Sequence, residues 1–189
     1  MSAVTLVRPS AALLPEYEAA LAQGWSPQTT RDVSGPYLEA LRRDRSTFLH
    51  DLTDPKGQVR LPDGRVFPRL PFHLFWIVDE GFCGQITFRF QRGTEALPAW
   101  VSGHVGYAIV PWKRRRGYAT QALRLVLPVA RAEGMDRVAI TCDDDNEGSR
   151  RAILANGGVL SSSWPNEERP GRSKLHFWVP TPETGETRR

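Results

Sequence analysis

The clearest pattern in the sequence is an alternation of polar and apolar residues between Gly81 and Gln91. Polar side chains occupy positions 85, 87, 89 and 91, and apolar side chains occupy positions 86, 88 and 90. Because successive side chains of a strand point to opposite faces, this spacing predicts a strand with one polar and one buried face. Other apolar segments predict strands over residues 4–8, 72–79, 104–110, 137–143, 158–164 and 174–180.

Apolar residues at helical spacing predict helices between these strands. The helices run over residues 10–24, 35–54, 120–134 and 146–158, the second as one continuous helix. Pro128 lies inside the third and predicts a kink. Asn146 is a good N-cap for the fourth, and Gly157 is a good stop. Before the strand at 72–79, the pair Asp63-Gly64 predicts a tight hairpin with exposed strands.

The resulting order is β-α-α-β-β-β-α-β-α-β-β, with no internal repeat. It combines a meander of strands with one strand-helix-strand crossover, which is typical of an α/β fold with mostly antiparallel pairs. We expect a single domain over residues 1–180, followed by a disordered tail over residues 181–189.

Composition narrows the class of protein further. Of 189 residues, 40% are hydrophobic, and no apolar run approaches the ~20 residues of a membrane span. The first residues lack the pattern of a signal peptide. Cys83 and Cys142 are too few for a disulfide framework, and no Cys/His cluster has zinc-like spacing. We therefore expect a cytoplasmic protein with neither a membrane partner nor a metal.

Four consecutive cations, at positions 113–116, stand where a strand ends and a helix begins. The free N–H groups and the dipole of a helix start favour a bound anion. Gly117 and Ala119 are small enough for a phosphate to approach, and Thr120 adds a hydroxyl. The net charge of +4 and the pI of about 9.4 suit an anionic partner, either a nucleic acid or a phosphorylated cofactor.

The segment RRRGYA, residues 114–119, resembles the coenzyme A signature Q/R-x-x-G-x-G/A of the GNAT N-acetyltransferase superfamily. The later stretch CDDDNEGSRRAILANGG resembles the second coenzyme A element of that family. The likeness in element order extends over nearly the whole chain. It implies the GNAT fold, an α/β fold whose mixed, mostly antiparallel sheet has splayed central strands and flanking helices.

The resemblance also implies how acetyl-CoA would bind. The pantetheine arm would lie between strands 104–110 and 137–143, bonded to the backbone of Ile109 and Val110. The pyrophosphate would rest on the loop. The expected loop residues are Arg114, Arg115, Arg116, Gly117, Tyr118, Ala119 and Thr120. Asn146 and Ser149 are further candidates for binding the arm, although Asn146 could only cap its helix.

The implied reaction is direct transfer of an acetyl group from acetyl-CoA to a primary amine of a small molecule or protein. The tyrosine that many relatives use as general acid corresponds to Ile153 here. His104 is the candidate general base, with a purely structural role as the alternative. Tyr107, expected on the opposite side of the same strand, could hold a water or line the pocket.

Several other polar residues have simpler explanations. Arg89 and Gln91 could face the acceptor, although a surface position is the more ordinary one for such side chains. Cys142 is expected to be inert, and the carboxylates at positions 143–145 are explained by the helix dipole. His73 and His176 are expected to be structural.

Two other functions remain open. One is a non-catalytic acyl-CoA sensor, which the absence of the usual tyrosine favours. The other is a nucleic-acid-binding domain, which we do not expect because no recognised motif accompanies the basic loop. The expected partners are thus acetyl-CoA and an amine, with no nucleic acid, and the protein is expected to be a monomer or homodimer.

Overall fold

The computed structural model describes residues 4–29, 31–61 and 64–183. Strands within these ranges are β1 (Thr5–Val7), β2 (Gln58–Arg60), β3 (Val66–Pro68), β4 (Phe72–Val78), β5 (Phe82–Arg89), β6 (Val105–Ile109), β7 (Arg137–Asp143), β8 (Val159–Pro165) and β9 (Ser173–Pro180). Helices are α1 (Leu14–Ala22), α2 (Ser34–Arg43), α3 (Arg45–Thr53), α4 (Tyr118–Ala132) and α5 (Glu147–Leu154). Every predicted strand is present, and β2 and β3 form the predicted hairpin.

The strands form two main antiparallel sheets that do not pair with each other in the described part of the chain. One sheet has the order β1-β4-β5-β6, and the other has the order β7-β9-β8. Strands β6 and β7 stand at the facing edges of the two sheets, linked along the chain by α4. This arrangement confirms the predicted α/β fold with splayed central strands and mostly antiparallel pairs.

The alternation along β5 places two different environments on the two faces of the larger sheet. Ile86 and Phe88 lie in a core with the apolar face of α4. On the other face, Leu74 and Trp76 of β4 pack against α1 to α3 in a second core rich in aromatic rings. The polar residues of β5 share this second face, because Thr87 and Gln85 stand directly opposite Leu74 and Trp76. The polar row therefore lies on the face of the sheet against which α1 to α3 pack.

The prediction of one continuous helix over residues 35–54 is wrong. Asp44 adopts an extended conformation (φ −155°, ψ 103°) and separates α2 from α3. Its carboxylate accepts hydrogen bonds from the N–H groups of Ser46 and Thr47, so it caps α3. Such local bonds make aspartate a helix start rather than an interior residue.

Three smaller predictions have mixed outcomes. Pro128 does lie inside α4. Gly64 has the positive φ (+86°) of a tight turn, whereas Asp63 lies outside the described residues. Thr181, the first residue after the expected domain boundary, is buried and hydrogen-bonded to the carbonyls of Asp136 and Met135. Most of the expected tail, residues 184–189, lies outside the described ranges. No helix in the described ranges is long and apolar enough to cross a membrane.

Candidate functional site

In the described part of the chain, the gap between the two sheets closes where His104 meets Ala139. The N–H of His104 donates to the carbonyl of Ala139 (2.7 Å), and the N–H of Ala139 donates to Nδ1 of His104 (2.9 Å). Beyond this point β6 pairs only with β5 and β7 only with β9 in the described structure. One edge of β6 is therefore open towards the gap, as the resemblance predicted.

The alternation of hydrogen bonds along β6 decides which of its backbone groups face the gap. The N–H of Val110 donates to the carbonyl of Cys83 on β5, and the carbonyl of His104 accepts from Arg89. Since bonded and non-bonded residues alternate in an antiparallel pair, the backbone groups of Tyr107 and Ile109 face the gap. Val110 is also expected to offer its backbone to the arm, but its N–H donates to the carbonyl of Cys83 and its carbonyl accepts from the N–H of Lys113.

A cradle of free amides forms where the basic loop enters α4. Arg115 (φ +62°) and Gly117 (φ +79°) both adopt the left-handed conformation, which turns successive N–H groups in one direction. The first helical bond of α4 is from Gln121 to the carbonyl of Gly117. The six N–H groups of residues 115–120 therefore have no backbone partner among the described residues. We call these six groups the amide cradle.

The side chains of the loop point in several directions. Arg115 and Arg116 are exposed beside the amide cradle. Arg114 folds back and donates from Nε to the carbonyl of Ile109 (3.2 Å), which is one of the groups that face the gap. Tyr118 is buried and its hydroxyl donates to Asp79 (2.8 Å), so only its N–H contributes to the amide cradle.

The other wall of the gap is the start of α5. Asn146 accepts from the N–H of Ser149 through its side chain (3.0 Å), which confirms it as the N-cap. The hydroxyls of Ser149 and Tyr107 lie 2.7 Å apart, so a side chain from β6 reaches across to α5. Burial raises the pKa of Tyr107 to about 12, which keeps this phenol protonated at neutral pH. Ile153 lies one turn further along α5 and is fully buried.

His104 lies at the closed end of the gap and is fully buried. Its Nδ1 accepts a hydrogen bond, so the neutral ring carries its proton on Nε2. Burial lowers the pKa of the imidazole to about 4. The ring is not among the side chains that line the groove below. The general-base role of His104 stays a prediction, and this placement favours the structural alternative.

A continuous groove of about 2250 Å³ joins the amide cradle to the far side of the larger sheet. The hairpin β2–β3 forms part of its rim, held by stacking of Phe67 on Trp100 (ring centroids 4.9 Å apart). The floor includes the polar row Gln85, Thr87 and Arg89. The ordinary surface position expected for Arg89 is wrong, because its side chain lies mostly buried in the floor of this groove. Gln91 instead donates to the carbonyl of Ala96 in the following loop.

The remaining candidate groups near the gap are occupied or protonated. Asp143 and Asp145 both accept from Arg169 (2.9 and 2.8 Å), which fixes the β8–β9 loop beside α5. Burial raises the pKa of the Cys142 thiol, so it is not a thiolate at neutral pH. No group of three or more His, Cys, Asp or Glu side chains in the described structure could hold a metal ion.

Solved structures share this architecture at low sequence identity. RimL, a ribosomal L7/L12 alpha-N-protein acetyltransferase in complex with coenzyme A, aligns with a TM-score of 0.67 at 15% identity over 95% of each chain. The microcin C7 self-immunity acetyltransferase MccE, in complex with acetyl-CoA and AMP, aligns at 0.61 and 14%, covering 94% of this chain and 92% of MccE. A Salmonella typhimurium acetyltransferase that modifies the N-terminal serine of L7/L12 aligns at 0.60 and 14%, covering 95% and 96%.

These structural alignments show a common fold, whereas membership of a family follows from the sequence. No curated protein matches the chain significantly. The family model for the acetyltransferase (GNAT) domain matches residues 38–159, which is more than half of the chain and includes both the open edge of β6 and the amide cradle. The chain therefore belongs to the GNAT acetyltransferase family, whose members are acyltransferases.

Proposed function

We propose that this protein transfers the acetyl group of acetyl-CoA directly to the primary amine of a small molecule or protein. The observation that carries the proposal is the amide cradle at residues 115–120 next to the open edge of β6. A diphosphate and an amide-bearing arm are the two chemical features of coenzyme A that such a pair of sites complements. RimL and MccE, which share the fold, hold coenzyme A and acetyl-CoA respectively in their structures.

The diphosphate accepts hydrogen bonds from the amide cradle, and the exposed guanidinium groups of Arg115 and Arg116 balance its charge. The pantetheine arm then follows β6, where the backbone of Ile109 and Tyr107 supplies partners for its amides. Arg114 donates to the carbonyl of Ile109, so its guanidinium also lies beside the path of the arm. Asn146 and Ser149 lie on the opposite wall.

Transfer requires four linked events. The amine loses its proton to a base or to water, and its lone pair forms the new C–N bond at the thioester carbonyl. Backbone N–H groups in the gap polarise that carbonyl. The C–S bond then breaks, the thiolate takes a proton, and the nitrogen releases its second proton to water, which restores the proton of the donor. We assign the proton that the thiolate takes to the hydroxyl pair Tyr107–Ser149, because the pair spans the gap and the phenol is protonated at neutral pH.

The transfer is direct, without an acetylated cysteine. Cys142 lies beside Ser149, but its raised pKa leaves it as a weakly nucleophilic thiol. His104 is the candidate base from its position on the strand. The alternative is a water that takes the proton in the groove, since the ring of His104 does not line the groove.

The test is a turnover assay with acetyl-CoA and a panel of amines, read by release of the free thiol and by mass spectrometry of the product. We expect turnover with at least one amine class, together with binding of acetyl-CoA by calorimetry. Binding without any turnover would favour the acyl-CoA sensor instead. Absence of acetyl-CoA binding would remove the proposed function altogether.

A further inference from the structure

Three polar side chains of β5 lie in a row on the helix-covered face of the sheet without a partner. Gln85, Thr87 and Arg89 form no side-chain hydrogen bond or ion pair with any residue of the described ranges. Gln85 is only 7% exposed, and its buried Oε1 accepts nothing. Unpartnered polar groups are rare in protein interiors, and each one calls for a physical explanation.

Arg89 is the most costly member of this row. Its guanidinium is mostly buried, and burial lowers its pKa, yet no carboxylate lies within ion-pair distance in the described structure. A side chain at Gly106 would meet this group, because an added Cβ would lie 3.4 Å from Nη2 of Arg89. Glycine at this position of β6 therefore leaves room for the guanidinium beside the strand that borders the gap.

Several carboxylates around the gap and the groove are already engaged. Glu95 pairs with Arg137 (2.9 Å). Asp44 caps α3, and Asp143 pairs with Arg169. Rearrangement of these groups towards Arg89 would break existing bonds, so the missing counter-charge is not supplied by these residues.

Because Arg89 lines the same groove as the amide cradle, we infer that the guanidinium binds a carboxylate of the acceptor. The acceptor would then be a small molecule of amino-acid type, an amine that also carries a carboxylate. This inference rests on the proposed function and specifies its substrate class. One unpaired cation balances one carboxylate, and two parallel N–H donors of the guanidinium match the two carboxylate oxygens. The hydroxyl of Thr87 supplies a neutral acceptor for an N–H group of the same molecule.

The substrate test compares matched amines that differ only in charge. The probes are free α- and ω-amino acids, the same compounds as carboxamides, phosphoethanolamine as an amine with a different anion, and spermidine without an anion. We expect the amino acids to be acetylated with higher kcat/KM than their carboxamides. The variant Arg89→Met should lower kcat/KM for amino acids about 30-fold or more and change it for carboxamides less than about threefold.

Two further variants separate this role from a general loss of charge. Arg89→Lys keeps the positive charge but lacks the two parallel N–H donors. Its kcat/KM for amino acids should lie between those of the wild type and Arg89→Met. The matched control is Arg92→Met, which removes an exposed arginine three residues further along, and it should leave both classes unchanged.

Stability gives a readout that does not depend on turnover. Since an unpaired buried charge destabilises a fold, Arg89→Met should raise the melting temperature of the free protein by roughly 2–4 °C. A fall of several degrees would mean that Arg89 holds the fold together, and it would overturn the inference.

The outcomes for this inference and for the proposed function differ. If acetyl-CoA binds but no amine is acetylated, calorimetric binding of the amino acids in the presence of coenzyme A decides the matter. Binding that Arg89→Met abolishes supports the inference even then. A preference for spermidine, carboxamides or phosphoethanolamine, an equal effect of Arg89→Met on all classes, or no binding by any amino acid would overturn it.

Discussion

His104 and Ala139 exchange two hydrogen bonds at the closed end of the gap, one from backbone to backbone and one from backbone to Nδ1 of the ring. Two sheets that otherwise share no ladder in the described structure are thus joined by one residue of each. The variants His104→Asn and His104→Leu separate the possible roles of the ring. Asparagine places an acceptor oxygen near the position of Nδ1, whereas leucine leaves the buried N–H of Ala139 unpaired.

We expect His104→Leu to lower the free energy of unfolding by about 1–3 kcal/mol, measured by urea unfolding, and His104→Asn to cost less. A positioning role predicts that kcat is largely kept in His104→Asn and falls in His104→Leu. A general-base role predicts that both variants lose kcat by at least about 100-fold, together with the pH limb of the histidine. The second pattern would show that His104 acts as the general base.

The burial of His104 also makes stability depend on pH. In the unfolded chain the ring gains a proton near pH 6.5, whereas in the folded protein burial lowers its pKa to about 4. Between these values the unfolded state binds more protons, so the free energy of unfolding falls as pH falls. The slope for this residue approaches ~1.4 kcal/mol per pH unit.

Urea unfolding at pH 7 and pH 5 measures this slope. His104→Asn should lose less stability than the wild type over that range, while His50→Asn, at an exposed histidine, should keep the wild-type slope. Burial also lowers the pKa of His176, so part of the slope remains in His104→Asn. Equal slopes in the wild type and His104→Asn would show that the ring protonates as easily in the folded protein as in the unfolded chain.

Gly117 has a matched partner at the other end of α4. Both Gly117 (φ +79°) and Gly134 (φ +86°) are left-handed, and an added Cβ would meet little at either position. Glutamate therefore costs similar backbone strain at both, but at Gly117 it also brings a negative charge to the amide cradle. We expect Gly117→Glu to weaken acetyl-CoA binding about 100-fold or more in calorimetry, and Gly134→Glu to leave it unchanged. Equal affinities in the two variants would place the diphosphate elsewhere.

The features predicted correctly from the sequence are those that depend on nearby residues. Gly117 stands between a basic loop and a helix start, and all the N–H groups of the amide cradle come from six consecutive positions. The alternation along β5 likewise predicts a polar row, because the two faces of a strand follow from its local geometry.

The features that were missed depend on distant parts of the chain. Arg89 lies mostly buried in the floor of the groove, and nothing near it in the sequence indicates that position. The N–H of Val110 is hydrogen-bonded to the carbonyl of Cys83, which is far away in the sequence. The break at Asp44 has a local signal in the sequence, since an aspartate followed closely by serine and threonine is typical of a helix start.

Tyr107 and Ser149 provide a test of how the thiolate is protonated. Tyr107→Phe removes the phenol whose hydroxyl lies 2.7 Å from that of Ser149. If the phenol acts through the serine, Tyr107→Phe should lower kcat roughly 10-fold, and the double variant with Ser149→Ala should be no slower than Ser149→Ala alone. The affinity for acetyl-CoA, measured by calorimetry, should change little in Tyr107→Phe.

The matched control is Tyr17→Phe, because Tyr17 is buried in the aromatic core and its hydroxyl has no partner among the described residues. That control should keep kcat and lose no stability. Independent, multiplicative effects of Tyr107→Phe and Ser149→Ala would contradict a shared proton path, and an unchanged kcat in both single variants would mean that the thiolate leaves without their help.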